Sequence, residues 1–120
     1  MSDSLENDFV ALFQALAHMA NVNSRVKGFW KGLDPESVPV QGLQVGLIHT
    51  EVSEVLEAIR HGNPPDDKIP EFSGAEAELA DVVIRVMDLA SEKGWNVGGA
   101  IIAKMRYNAC REHMHGGKLA

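Results

Sequence analysis

Two pairs of carboxylates are the residues whose type and spacing best suit chemistry. Glu51 and Glu54 form one pair, and Glu78 and Asp81 the other. Residues three apart on a helix emerge on the same side. Two such helices lying side by side would set four carboxylates around one point. Oxygen donors in that number suit a hard cation such as Mg²⁺, which commonly holds substrate phosphates as well. A single acid pair is also commonplace on a solvated helix face, and Arg85, four residues after Asp81, can simply pair with it. The earlier pair resists that reading more strongly. Leu47 and Ala58 flank it along the same stripe, and partly buried acids are costly unless paired or metal-bound. The expectation is that two helices meet at these acids and present a phosphorylated ligand to them.

Further along, Lys104, Tyr107, Asn108 and Arg111 recur at helical spacing. Lys and Arg suit phosphate oxygens, Arg through a bidentate fork, and Asn can bond a base or sugar edge. The competing reading is a charged surface face. Lys118 follows Gly116 and Gly117; it either closes over a phosphate chain or belongs to a free tail. Phe29 and Trp30 sit in a segment rich in Gly and Pro. They either plug the core or offer a face on which a base stacks. Glu112 and His115 have the spacing that supplies ligands in di-iron bundles. They fall at a helix end with no second copy, and are discounted. His18 and His49 lie near these stretches but read as structural, and Cys110 reads as packing.

The elements that must position these groups follow from periodicity and punctuation. Phe9, Leu12, Phe13, Leu16 and Ala20 mark one face of a first helix, with Ser2, Asp3 and Ser4 before it as a capping region. It should end between Asn21 and Gly28, and Pro35, Pro39 and Gly42 then argue for loops and turns. A second helix is predicted from about Gly42 to Arg60, with Val45, Ile48, Val52, Val55, Leu56 and Ile59 as its core face. His61 and Gly62 stop it, and residues 63 to 74 form a loop. Ser73 and Glu76 make a capping box for a third helix whose core face is Leu79, Val82, Val83, Val86, Leu89 and Ala90. Lys93 and Gly94 stop that helix. Asn96 caps a fourth, from about Val97 to Glu112. Val38-Pro39-Val40 is too short for a strand and holds a proline. The fold class is therefore all-α: a single domain over residues 1–120, a four-helix bundle with short connections and a flexible C-terminal tail from about residue 113. Ile84 and Ile102 lie off the main faces and suggest association with another copy.

Composition narrows the field. The chain has 120 residues, 45% of them hydrophobic, and a formal net charge of −6. That is globular rather than disordered composition. An acidic chain without a basic run is a poor partner for nucleic acid or membrane surfaces. One cysteine excludes an intrachain disulfide. The polar, acidic start lacks the features of a signal peptide, and no apolar stretch approaches the ~20 residues needed to cross a bilayer. A cytoplasmic protein is expected.

Taken together and in order, Glu51-Val52-Ser53-Glu54, Glu78-Leu79-Ala80-Asp81, Lys104 with Asn108 and Arg111, and His115-Gly116-Gly117-Lys118 resemble the MazG-like all-α nucleoside triphosphate pyrophosphohydrolases. The likeness covers roughly residues 9 to 118, and the ordered combination is far more specific than any one part. It implies Mg²⁺-dependent cleavage, with Mn²⁺ as a substitute, of a nucleoside triphosphate between its α and β phosphates. The products are a monophosphate and pyrophosphate, in nucleotide house-cleaning. Glu51, Glu54, Glu78 and Asp81 carry over as metal ligands, and Lys104, Asn108 and Arg111 as nucleotide contacts. Homodimers or homotetramers with sites near subunit boundaries are implied as well. One departure stands out: Thr50 takes a place where the family often has a further acid. In such a site Glu51 or Glu54 would serve as general base, with Trp30, Tyr107 and Lys118 as further substrate contacts. A phosphoribosyl-ATP pyrophosphohydrolase shares the bundle and the acids, and a helical binding or assembly module without turnover is the reading from a different class.

Overall fold

The computed structural model describes residues 2–111, and within them the chain is all-helical. Four helices follow in order: α1 Asp3–Val26, α2 Val38–Arg60, α3 Gly74–Lys93 and α4 Val97–Ala109. The predicted tail from about residue 113, Lys118 and the Glu112–His115 spacing lie outside the described residues. Among the described residues no helix is long and apolar enough to cross a membrane.

Each helix starts where a short polar side chain can take up its free N–H groups. Ser2 accepts from the N–H of Leu5, Ser37 from that of Val40, and Asn96 from that of Gly99. Ser73 and Glu76 form the full reciprocal capping box, with bonds of 3.2 and 2.9 Å. The second helix begins at Val38, earlier than the expected Gly42. Pro39 sits in its first turn, where a missing N–H costs nothing. α1 ends in a paired-carbonyl motif: Gly28 N–H reaches Arg25 C=O and Phe29 N–H reaches Ser24 C=O. Gly28 adopts φ +82 to allow it, a conformation that costs other residues about 1–2 kcal/mol. α2 and α3 end in the same way, through Gly62 with Asn63 and Gly94 with Trp95.

α3 lies between α1 and α2, and α4 packs on α1. The start of α3 meets the end of α2 closely. A Cβ built on Gly74 would stand 3.2 Å from the Ala58 Cβ and 3.3 Å from the Pro64 carbonyl oxygen. The intervening loop is tied down by Asn63 Oδ1, which accepts from Ala75 N–H, and by the Asp66 carboxylate, which accepts from the N–H groups of Lys68 and Ile69. At the other end of the molecule Gly98 lets α4 close on the Phe13 ring of α1. Arg106 there pairs with Asp3 and Glu6 of the first turn of α1.

The apolar core within one chain is small. Phe13, Ala17, Trp30, Ala77, Leu89 and Ala90 are the buried hydrophobic residues. The expected core face of α2 corrects here. Val45, Val52, Leu56 and Ile59 are exposed, Ile48 and Val55 are half-buried, and α2 has no buried residue. α2 carries two apolar stripes, and the one that includes Leu47, Glu51 and Ala58 is the less exposed. Leu79 and Val83 of α3 are exposed too, while Ile102, expected outside, is half-buried.

Candidate functional site

α2 and α3 run together so that Glu51, Glu78 and Asp81 converge. One carboxylate oxygen from each lies within 4.8 Å of the other two. Glu54 does not join this triad. It borders a shallow hollow of about 240 Å³ with Glu57, Asp66, Asp67 and Glu78, and its charge still acts on Glu78. Of the four acids the spacing singled out, three meet at a point and Glu54 lies outside it.

The electrostatics of the triad follow from this crowding. Partial burial, then the charges of Asp81, Glu51, Glu54 and Asp66, push the Glu78 carboxyl above the usual range. Burial and Glu51 push Asp81 up, against the opposing pull of Arg85 and Lys68. Arg85 does not pair with Asp81, as the i+4 spacing allowed. It crosses to α2, and its Nε donates to Glu51 Oε1 at 2.8 Å. With Glu51 only 16% exposed, this bond holds one acid in place and leaves Asp81 open. Three hard oxygen donors under mutual repulsion are a fitting set for a small divalent cation, and no soft ligand stands among them.

Glu51 and Asp81 line a groove of about 640 Å³, a size that suits a small-molecule ligand. Arg85, Asp88 and Ile84 line it as well. Ser24, Lys27 and Phe29 come from the end of α1, and Lys68 from the loop before α3. Phe29, 62% exposed, reaches the groove because the motif at Gly28 turns the chain there.

Trp30 corrects the stacking expectation. It is 5% exposed, and its indole N–H donates to Asp88 at 3.0 Å. Asn21 bonds Asp88 and Glu92, and Arg25 pairs with Glu92, so this cluster fastens the end of α1 to α3. Trp30 is a core plug with a satisfied polar edge, and its neighbour Phe29 is the aromatic at the groove.

The face of α4 does not reach the acids within one chain. Lys104, Tyr107, Asn108 and Arg111 line neither the groove nor the hollow. Lys104 and Arg111 instead lie over the Tyr107 ring, each 5.6 Å from its centre. Thr50 donates to Gly46 C=O one turn back along α2. His18 and His49 are exposed, and Cys110 is exposed rather than packed.

Sequence reasoning missed Asp66, Lys68, Ser24 and Lys27. Their spacing carries no helical period, since they stand in a loop and at a helix end. The run Lys27-Gly28-Phe29 held a clue: a glycine stop followed by a large apolar residue turns that residue back toward the helix. No known protein family, curated protein or solved structure matches this chain.

Proposed function

We propose that this chain is a divalent-metal-dependent pyrophosphohydrolase that cleaves nucleoside triphosphates between the α and β phosphates, in the manner of the MazG-like enzymes its motifs resemble. The convergence of Glu51, Glu78 and Asp81 on α2 and α3, at the wall of a groove that also carries cations, is the observation that supports it. An acid cluster alone would repel a triphosphate. A groove lined by carboxylates together with Lys27, Lys68 and Arg85 suits a metal together with its phosphates.

In this reading Glu51, Glu78 and Asp81 hold Mg²⁺, with Mn²⁺ as a substitute. An ion held there would supply Lewis acidity toward the α-phosphoryl group and the attacking water, and positive charge to offset the leaving pyrophosphate. Arg85 fixes the Glu51 carboxylate. Glu54, outside the triad, is the carboxylate left to accept the proton of water. Lys104, Tyr107, Asn108 and Arg111 would serve only a site on a second copy. The exposed apolar faces of α2 and α3 make such an association the expected state, as a dimer or a tetramer.

Incubating the purified full chain with ribo- and deoxyribonucleoside triphosphates and Mg²⁺, and detecting monophosphate and pyrophosphate, tests the reading. Release of both products, abolished by a chelator and by Asp81→Asn, is the expected result. Turnover confined to phosphoribosyl-ATP would move the chain to the enzymes acting on that substrate. No turnover on any of these would leave a non-catalytic helical module.

A further inference from the structure

We propose that α1 pairs with α1 of a second copy of this chain, antiparallel, across the apolar stripe that it turns to solvent. This contact is separate from the stripe on α2. It adds a second interface to the association proposed above, and its own observations depend neither on that association nor on the metal-dependent reading.

The stripe has the period of a helix pair. Leu5, Phe9, Leu12, Leu16, Met19 and Val26 follow one another at steps of four and three along the whole of α1, with Asn23 completing the series before Val26. That is the 3.5-residue repeat by which one helix seats its side chains between those of another. A single polar residue in such a seam, here Asn23, fixes the register. Leu5, Leu12, Leu16, Met19 and Val26 are between 51% and 81% exposed. Phe9 is half-buried, and its ring tilts against that of the buried Phe13, with centres 5.7 Å apart. The side of α1 turned inward is a different one, made of Glu6, Phe13, Ala17, Asn21 and Ser24. Leu12 and Leu16, expected with Phe13 on one core face, therefore belong to the outer stripe, which continues from the interior through Phe9.

Charge along the helix selects another copy of itself, running the opposite way. Asp3, Glu6 and Asp8 stand near the start of α1, Arg25 and Lys27 at its end, and residues 9–24 contain no Asp, Glu, Lys or Arg. Antiparallel pairing sets the acidic start of one helix beside the basic end of the other and aligns the two helix dipoles favourably. Parallel pairing would place acid on acid and base on base. Arg106 takes up Asp3 and Glu6 within the chain, and Glu92 takes up Arg25, so the exposed Asp8 and Lys27 are the end charges that remain. A lipid surface fits less well, because the stripe is not bordered by a basic face. A two-fold contact needs only one patch, since each copy offers the same face to the other. Ten side chains, five from each copy and each more than half open, bring ~1,000 Å² of apolar area to the pairing, the scale at which a specific interface begins. The stripes of α1 and α2 belong to helices on either side of α3. Two such self-complementary contacts on each chain build a tetramer from dimers.

The test uses the full chain, with mass read by light scattering and helix content by circular dichroism. Wild type should be a tetramer. Leu16→Glu should halve the mass with helix content kept, Leu56→Glu should leave a dimer joined through α1, and Leu16→Glu/Leu56→Glu should be a monomer. Mass lost in Leu56→Glu but not in Leu16→Glu would overturn the pairing while leaving association through α2 intact. Mass lost only in Leu16→Glu would uphold the pairing and remove the association through α2. Cross-linking with a short bis-maleimide, in a Cys110→Ser background, reads the direction and serves also if Leu16→Glu loses its helices. Leu16→Cys, near the middle of the seam, should join two chains. Leu5→Cys should not, because antiparallel pairing sets the two copies of residue 5 on the order of 30 Å apart. Joining through both positions would show parallel helices, joining through neither would show no pairing, and each overturns the proposal. A monomeric wild type overturns it too, and vesicle binding by that monomer, lost in Leu16→Glu, would give the stripe to a lipid surface instead.

Discussion

Glu78 and Asp81 carry the sharpest consequences at the scale of single residues. Both carboxyls are pushed up, first by burial and then by neighbouring acids. A raised acid makes the fold bind protons more readily than the unfolded chain does. Its contribution is fully present below the ordinary carboxylate range and is lost as pH rises through the raised value. The metal-free protein therefore carries a penalty at neutral pH that a divalent cation removes. Mg²⁺ should raise the thermal midpoint at pH 7, and the increment should vanish as pH falls into the range where these acids take up protons. Asp81→Asn should raise the metal-free midpoint, abolish the Mg²⁺ increment and lower turnover by orders of magnitude. Glu54→Gln should keep the Mg²⁺ increment and lose turnover, because Glu54 stands outside the triad. An increment lost in both variants would put Glu54 back among the ligands. Trp30 behaves differently. Its N–H serves Asp88, so Trp30→Phe should cost about 1–2 kcal/mol in denaturant unfolding with substrate affinity little changed. The acids were legible in the sequence because a helical period announces them. The role of Trp30 was not, because the partner that decides it lies 58 residues away.

Individual elements are set by their ends. Ser37 with Pro39, and Ser73 with Glu76, start the two helices that carry the acids. The carboxyl of Glu76 is held low by the Ser73 backbone N–H and hydroxyl. The contribution of a lowered acid is present above the ordinary carboxylate range and lost as pH falls through the depressed value, opposite in sign to Glu78 two residues on. Ser73→Ala should cost about 1 kcal/mol of stability and free the start of α3. The contact of Gly74 with Ala58 and Pro64 sets the spacing of α2 and α3. Gly74→Ala should prise them apart near Glu78 and shift preference from Mg²⁺ toward a larger ion such as Ca²⁺, read by competition binding. Helix existence, the first three stops and the capping box were visible in the sequence, since caps and glycines act locally, whereas α4 ends at Ala109, short of the expected Glu112. The start of α2 was misplaced because a proline was read as a breaker, when Ser37 before it made it a first-turn residue.

At the scale of the whole molecule, burial departs furthest from the periodicity. The pattern on α2 marked Val45, Val52, Leu56 and Ile59 as a core face, and they are apolar as a core face would be. Among the described residues they stay about half open to solvent. Periodicity tells which side of a helix avoids water but not whether its cover comes from the same chain. The few buried hydrophobic residues are mostly small or at α1 and α3, and Phe13, Trp30 and Leu89 are the largest of them. Leu56→Glu, at the middle of the uncovered stripe, should leave helix content intact at high dilution and lower the molecular mass measured by light scattering. An unchanged mass would show that this stripe is not where copies meet. So thin an interior has a practical corollary. If the missing cover is another copy, folding strength is partly a property of how many chains share the solution. The melting point should climb with the logarithm of protein concentration, and a dilute assay should inactivate the protein by mass action before any substrate is added.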